Sequence, residues 1–140
     1  MEWYRNGRIP YVATAGVWGE HKRVPSGSDY WGKMHDPFDP QFAVNARAGI
    51  EPVAQRVKDD PWCLGFFVDN ELSWAGQGED GGRYGLAYGA LSLHADDSPA
   101  KRAFLEQLRT KYGAIERLNE AWGANYPSWE IGRASCRERV

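Results

Sequence analysis

The chain has 140 residues, and its 17 Lys and Arg against 19 Asp and Glu leave a net charge of −2. That balance shows no polyanion-binding face, so nucleic acid is not expected as a partner. No stretch approaches the roughly 18 apolar residues of a membrane-spanning helix, and the histidines at 21, 35 and 94 lack metal-ligand spacing. Neither a metal nor a cofactor is expected.

Met1-Glu2-Trp3-Tyr4 has neither the basic nor the apolar region of a signal peptide, so location cannot be read from this chain. Pro10 to Trp18 predicts a first strand, and a Gly-, Pro- and aromatic-rich loop follows to His35. Asp39 reads as a helix N-cap with Pro40 at the first helical position. Phe42, Ala46, Gly49, Ile50, Val53, Ala54 and Val57 then form an apolar stripe, which Pro52 would kink or break. Asp59-Asp60-Pro61 ends the helix.

Cys63 to Glu71 predicts a second strand. Its unbroken apolar run from Cys63 to Val68 is the pattern of a strand buried on both faces of a parallel sheet. Cys63 reads as a small core residue. Together these elements make a strand-helix-strand unit. The glycine-rich stretch from Ala75 to Asp97 predicts a long loop. Its glycines do not open a helix after a strand, so no phosphate loop is indicated, and Asp96-Asp97 lacks the spacing of a calcium site. Ser98 and Pro99 restart a helix carrying Ala103, Phe104, Leu105 and Leu108, which Gly113 ends. A last helix covers Ala114 to Trp122.

Chemistry concentrates where the apolar strand emerges in Asp69-Asn70-Glu71. A carboxylic acid at an apolar rim has its charged form disfavoured and can stay protonated to serve as a general acid. Glu71 is the candidate; a lone strand-end Glu is otherwise a cap or a solvated ion pair. Successive strand side chains face opposite ways, so Asn70 and Glu71 can address one substrate only where the strand ends or bulges. Seven tryptophans and seven tyrosines offer apolar faces for ligand stacking or packing. Trp18, Tyr30, Trp31 and Trp74 fall at strand ends or loops and are the candidate stacking platforms, whereas Trp62, Trp122 and Trp129 read as core. His21 and His35 share a loop and could bond ligand hydroxyls or be ordinary loop histidines.

The string Phe67-Val68-Asp69-Asn70-Glu71-Leu72-Ser73-Trp74 resembles the beta-agarases of glycoside hydrolase family 50. Tyr30-Trp31-Gly32, Asp36-Pro37-Phe38-Asp39-Pro40 and Lys111-Tyr112-Gly113 with Leu118-Asn119-Glu120-Ala121-Trp122-Gly123 resemble agarase segments in the same order. The resemblance covers roughly Arg8 to Trp129. Family 42 beta-galactosidases, which share Asp-Asn-Glu, are the near alternative, and a non-catalytic saccharide-binding fragment is the alternative of another class. The resemblance implies an α/β fold, a (β/α)8 TIM barrel cleaving β-1,4 galactosidic bonds of agarose. It implies Glu71 as acid/base, Asn70 on the hydroxyl beside the anomeric carbon, Asp69 as a tuning neighbour, and export of the parent protein to a periplasmic or secreted location.

A barrel of this kind takes about 250 residues, so the chain is expected to form an incomplete one, with roughly half of the barrel present. The second carboxylate of such enzymes lies near the end of the seventh strand and is expected to be missing; Glu79 and Asp80 sit in the glycine-rich loop and are poor substitutes. Residues 131–140 break the composition and read as the translation of ATCGGAAGAGCGTCGTGTAGGGAAAGAGTG, a sequencing-library adapter. The expected organisation is therefore a partial catalytic domain over 1–130 and a non-native tail. Without the tail, 14 basic and 18 acidic residues remain, a net charge of −4, and Cys63 is the one native cysteine.

Overall fold

A computed structural model describes residues 9–30, 32–76 and 80–131, with the side chains of 80 and 81 left aside. Strand β1 (Tyr11–Ala15) pairs in parallel with β4 (Cys63–Val68) across helix α1 (Pro40–Val57). The expected strand-helix-strand unit is present. Between β1 and α1 lie two two-residue strands, β2 (Arg23–Val24) and β3 (Met34–His35), paired antiparallel with Arg23 opposite His35. The loop reading of this stretch missed them, because two residues carry no periodicity.

Helix α1 forms as its sequence dictates. Asp39 is extended at φ −75° and its carboxylate accepts from the Gln41 amide at 3.1 Å, with Pro40 as the first helical residue. Every member of the apolar stripe is at least partly buried, and Val57 fully. The helix runs on through Pro52 rather than breaking there. Both Pro52 and Ala48, whose carbonyl loses its intrahelical donor, are exposed, so water can take that carbonyl. At Gly49 the helix meets β1 directly: a Cβ there would lie 2.0 Å from the Gly16 carbonyl oxygen.

Strand β4 departs from expectation in two ways. Leu64 is 72% and Phe67 61% exposed, so the run is not buried on both faces. Among the described residues its only sheet partner is β1, and Phe66 and Val68 are exposed as well. The pairing also slips, from Tyr11 opposite Cys63 to Val12 opposite Gly65, which leaves Leu64 as the extra residue of a bulge. The strand ends at Val68, three residues earlier than expected, where the backbone turns to positive φ.

The glycine-rich stretch is not one long loop. It contains α2 (Asp80–Arg83) and α3 (Gly85–Ser92). Gly85 and Gly89 lie one turn apart on the face of α3 that meets the Pro25-Ser26 backbone. A Cβ on Gly89 would sit 1.6 Å from the Pro25 carbonyl oxygen, and one on Gly85 2.1 Å from that of Ser26. The glycines therefore serve close approach rather than flexibility.

Helix α4 (Pro99–Tyr112) starts with Ser98 accepting from Lys101 N at 3.2 Å and ends at Gly113, φ 72°. Helix α5 (Ile115–Trp122) follows. Leu91, Leu105, Leu108, Leu118 and Ile131 pack into the core of this half, with Trp129 partly buried against them. Trp62 and Trp122, expected in the core, are each 37% exposed; Trp122 lies on the outer side of α5 and donates to the Tyr112 hydroxyl. Lys101 is buried and donates from Nζ to the carbonyls of Leu91 and Ile131. Ile131, counted with the tail by composition, is thus built into this core at 1% exposure.

One carboxylate ties the two halves together. Asp36 is fully buried; its Oδ1 accepts from Phe38 N at 3.0 Å and its Oδ2 from Ala100 N at 2.9 Å, at the start of α4.

Gly89→Ala should lower stability by about 3 kcal/mol through overpacking against the Pro25 carbonyl. Urea unfolding of the two proteins checks this, and a loss under about 0.5 kcal/mol, the range of surface changes, would show that α3 is not held there.

Candidate active site

The carboxyl ends of β1 and β4 open into a cleft of about 620 Å³, lined in part by Trp18, Arg23, Lys33, His35, Asp69 and Asn70. Crevices at the carboxyl ends of parallel strands are the usual ligand sites of α/β folds.

The cleft is shaped by how β4 stops. Asp69 N still donates to Ala15 O at 2.9 Å, the last backbone bond of the pair. The next ladder donor, Val17 N, is taken by the Asp69 side chain, Oδ1, at 2.8 Å. The side chain replaces the carbonyl, which frees the backbone to turn away. Asp69 has φ 56° and Glu71 φ 47°. Asp tolerates this left-handed region, but for Glu it is uncommon and costs on the order of 1 kcal/mol or more. The turn is how the alternation of a strand is broken at these residues. Asn70 lines the cleft; Glu71 is exposed beside it and is not among the lining residues.

The other Asp69 oxygen meets a chain of polar groups. Oδ2 lies 3.1 Å from His35 Nε2, His35 Nδ1 is 2.7 Å from His21 Nε2, and His21 Nδ1 is 3.0 Å from Asn45 Nδ2. Asn45 Nδ2 also donates to Glu20 O at 3.1 Å, while its Oδ1 accepts from Gln41 Nε2 at 3.0 Å. Phe42 packs its ring against both imidazoles. His35 is 6% exposed. Its pKa is lowered by burial first and by the Arg23 guanidinium second, against the raising pull of Asp69.

Among the predicted platforms, Trp18 lines the cleft and is 76% exposed, which suits a stacking surface. Tyr30 and Trp74 are 83% and 63% exposed but lie outside the lining. Trp31 and Glu79 lie outside the described residues. Arg23, Lys33, Leu72 and Ser73 line the cleft without having been expected there. Asn45 was missed as well, although a polar residue within the inward stripe of α1 is the mark of a buried partner. Among the described residues no group of three or more His, Cys, Asp or Glu could hold a metal ion, and no helix is long and apolar enough to cross a membrane.

An acid-amide-acid turn thus stands beside a cleft at the carboxyl ends of two parallel strands. No protein-family profile matches the chain. It is 47% identical over 127 residues to Beta-agarase B of Vibrio sp. (strain JT0107), covering 90% of this chain, and 36% identical over 137 residues to Beta-agarase A of the same strain, covering 91%. It superposes on the crystal structure of the agarase AgWH50C with TM-score 0.83 at 45% identity, and on an exo-beta-agarase with TM-score 0.85 at 39% identity. Each superposition covers 93% of this chain and 18% of the other. The chain belongs with the glycoside hydrolase family 50 beta-agarases. It spans 13% and 14% of the length of the two Vibrio relatives.

Because His35 has a lowered pKa, the folded chain resists the proton that the unfolded chain takes up near pH 6.5. Stability should therefore be independent of this group above about pH 6.5 and fall as pH drops below it. Urea unfolding at pH 7.5 and 5.5 should show the loss, and His35→Gln should reduce it. An equal loss in the variant would assign the effect elsewhere.

Proposed function

We propose that this chain is part of the (β/α)8 catalytic barrel of a retaining beta-agarase. The observation that carries the reading is the strained turn, with positive φ at Asp69 and Glu71 on either side of a cleft-lining Asn70. Non-glycine residues held in that region concentrate at functional sites, where the surrounding structure over-determines them. The high identity to agarases over nine-tenths of the chain favours a galactan polymer over the single terminal galactose of a family 42 enzyme.

In this reading Glu71 acts twice. As the acid it passes its proton to the glycosidic oxygen while a second carboxylate, from the part of the barrel beyond this chain, attacks the anomeric carbon. The C–O bond to the leaving sugar breaks and a galactosyl-enzyme ester forms. Glu71, now a carboxylate, then takes a proton from water as that water attacks the same carbon and releases the enzyme. Asn70 holds the neighbouring hydroxyl, and Trp18, exposed in the cleft, supplies a stacking face. The substrate is too large to enter a cell, so the parent protein works outside the cytoplasm. No cofactor takes part in this scheme.

The 140-residue chain alone should release no sugar from agarose, since it holds one carboxylate of the pair. In the complete enzyme, recovered by reading the source frame beyond Trp129, Glu71→Gln should lower kcat on agarose oligosaccharides about 10³-fold. On an aryl galactoside whose leaving group needs no proton, the first step should be nearly unaffected. A uniform loss on both substrates, or none, would remove Glu71 from the acid's role.

A further inference from the structure

The proton positions in the chain of groups leading to Asp69 follow from its partners. Glu20 O can only accept, so the Asn45 atom facing it is the amide nitrogen, and the same nitrogen donates its second hydrogen to His21 Nδ1. With Nδ1 an acceptor, His21 is protonated at Nε2 and donates to His35 Nδ1 at 2.7 Å. His35 is then protonated at Nε2 and donates to Asp69 Oδ2. Every bond runs in one direction, from Gln41 on the exposed side of α1 to the carboxylate in the cleft.

Both nitrogens of His35 are consumed by this chain, so neither remains for a sugar hydroxyl. We propose that His35 and His21 are positioning residues: as neutral Nε2–H tautomers they hold the Asp69 carboxylate in place, and through it the turn that carries Asn70 and Glu71. The role rests on the glycosidase reading above, but the tautomers do not. Asp69 has two acceptor jobs at once, Val17 N on one oxygen and His35 on the other. If the second is lost, the carboxylate can rotate, the Val17 bond no longer fixes it, and the two positive-φ residues lose the constraint that holds them. An Asp69 that swings by an ångström moves the acid with it, and displacements of that size cost about 100-fold in rate. Burial and Arg23 both favour the neutral His35 that this scheme requires, Asp69 being its only acidic partner among the described residues. Phe42 closes the remaining side of the pair.

Two variants of His35 separate positioning from packing and from sugar contact. In Gln the amide nitrogen can donate to Asp69 while the amide oxygen accepts from His21, so His35→Gln should keep kcat of the complete enzyme within about fivefold, whereas His35→Leu, which fills the space without a donor, should lose about 100-fold with KM nearly unchanged. Equal losses in both variants would mean packing alone, and a loss carried by KM would mean direct sugar contact; either result overturns the proposal. Independently, long-range nitrogen–proton NMR correlations on the ¹⁵N-labelled 140-residue chain at pH 7.5 should show Nε2–H on both His21 and His35. Nδ1–H on either ring would break the chain of donors. A complete enzyme that fails to cleave agarose would sink the hydrolase reading while leaving the tautomers to decide the network.

Discussion

The site depends on a side-chain carboxylate standing in for a backbone carbonyl. Parallel strands are joined by evenly spaced amide–carbonyl bonds, and a strand that turns away early leaves a donor on its neighbour without a partner. At the end of β4 the donor is Val17 N and the substitute acceptor is Asp69 Oδ1. This exchange lets the backbone leave the sheet at positive φ while the Val17 amide, two residues past the end of β1, keeps an acceptor. An unpartnered buried amide would cost on the order of 1–3 kcal/mol, which is comparable to the strain of the turn itself. The two terms oppose each other, and Asp at position 69 is one of the few residues that satisfies both, since it tolerates the left-handed region and carries an acceptor.

Other parts of the fold brace this junction from behind. Gly49 brings α1 against the Gly16 carbonyl, which sets the depth of the helix that carries Asn45 and Phe42. The short β2–β3 pairing sets Arg23 opposite His35, so the guanidinium that helps keep the imidazole neutral is placed by backbone register. Asp36, one residue after His35, accepts from the start of α4 and joins the helical half to the same segment. The open side is β4, where Leu64, Phe66, Phe67 and Val68 are exposed apolar side chains. Exposed apolar side chains of this kind are an association hazard in water.

Much of this was legible in the sequence. The caps at Asp39 and Ser98 and the inward stripe of α1 follow from local chemistry, since each needs only neighbours within a turn or two. The strand-helix-strand unit followed from the switch of period at Pro61. What escaped the reading depends on distant partners. Gly85 and Gly89 looked like loop residues because the Ser26 and Pro25 carbonyls that require them are some sixty residues away in sequence. His21 and His35, separated by fourteen positions, have no motif spacing and meet only because the β2–β3 pair folds the segment back. The exposure of β4 was hidden for the opposite reason, because its apolar run anticipates neighbours that are not among the described residues. At the site, the strand-end position of Asp69-Asn70-Glu71 was readable, whereas the turn itself and the carboxylate's bond to Val17 were not.

The most direct test of the account is the distance from the Glu71 carboxyl to the second carboxylate in a crystal structure of the complete enzyme with a galactose-configured ligand. The account predicts about 5–5.5 Å, with Glu71 facing the glycosidic oxygen and Asn70 on the adjacent hydroxyl. A separation of roughly 6.5–9.5 Å would indicate inversion through a water, and a Glu71 directed away from the sugar would contradict its role as the acid.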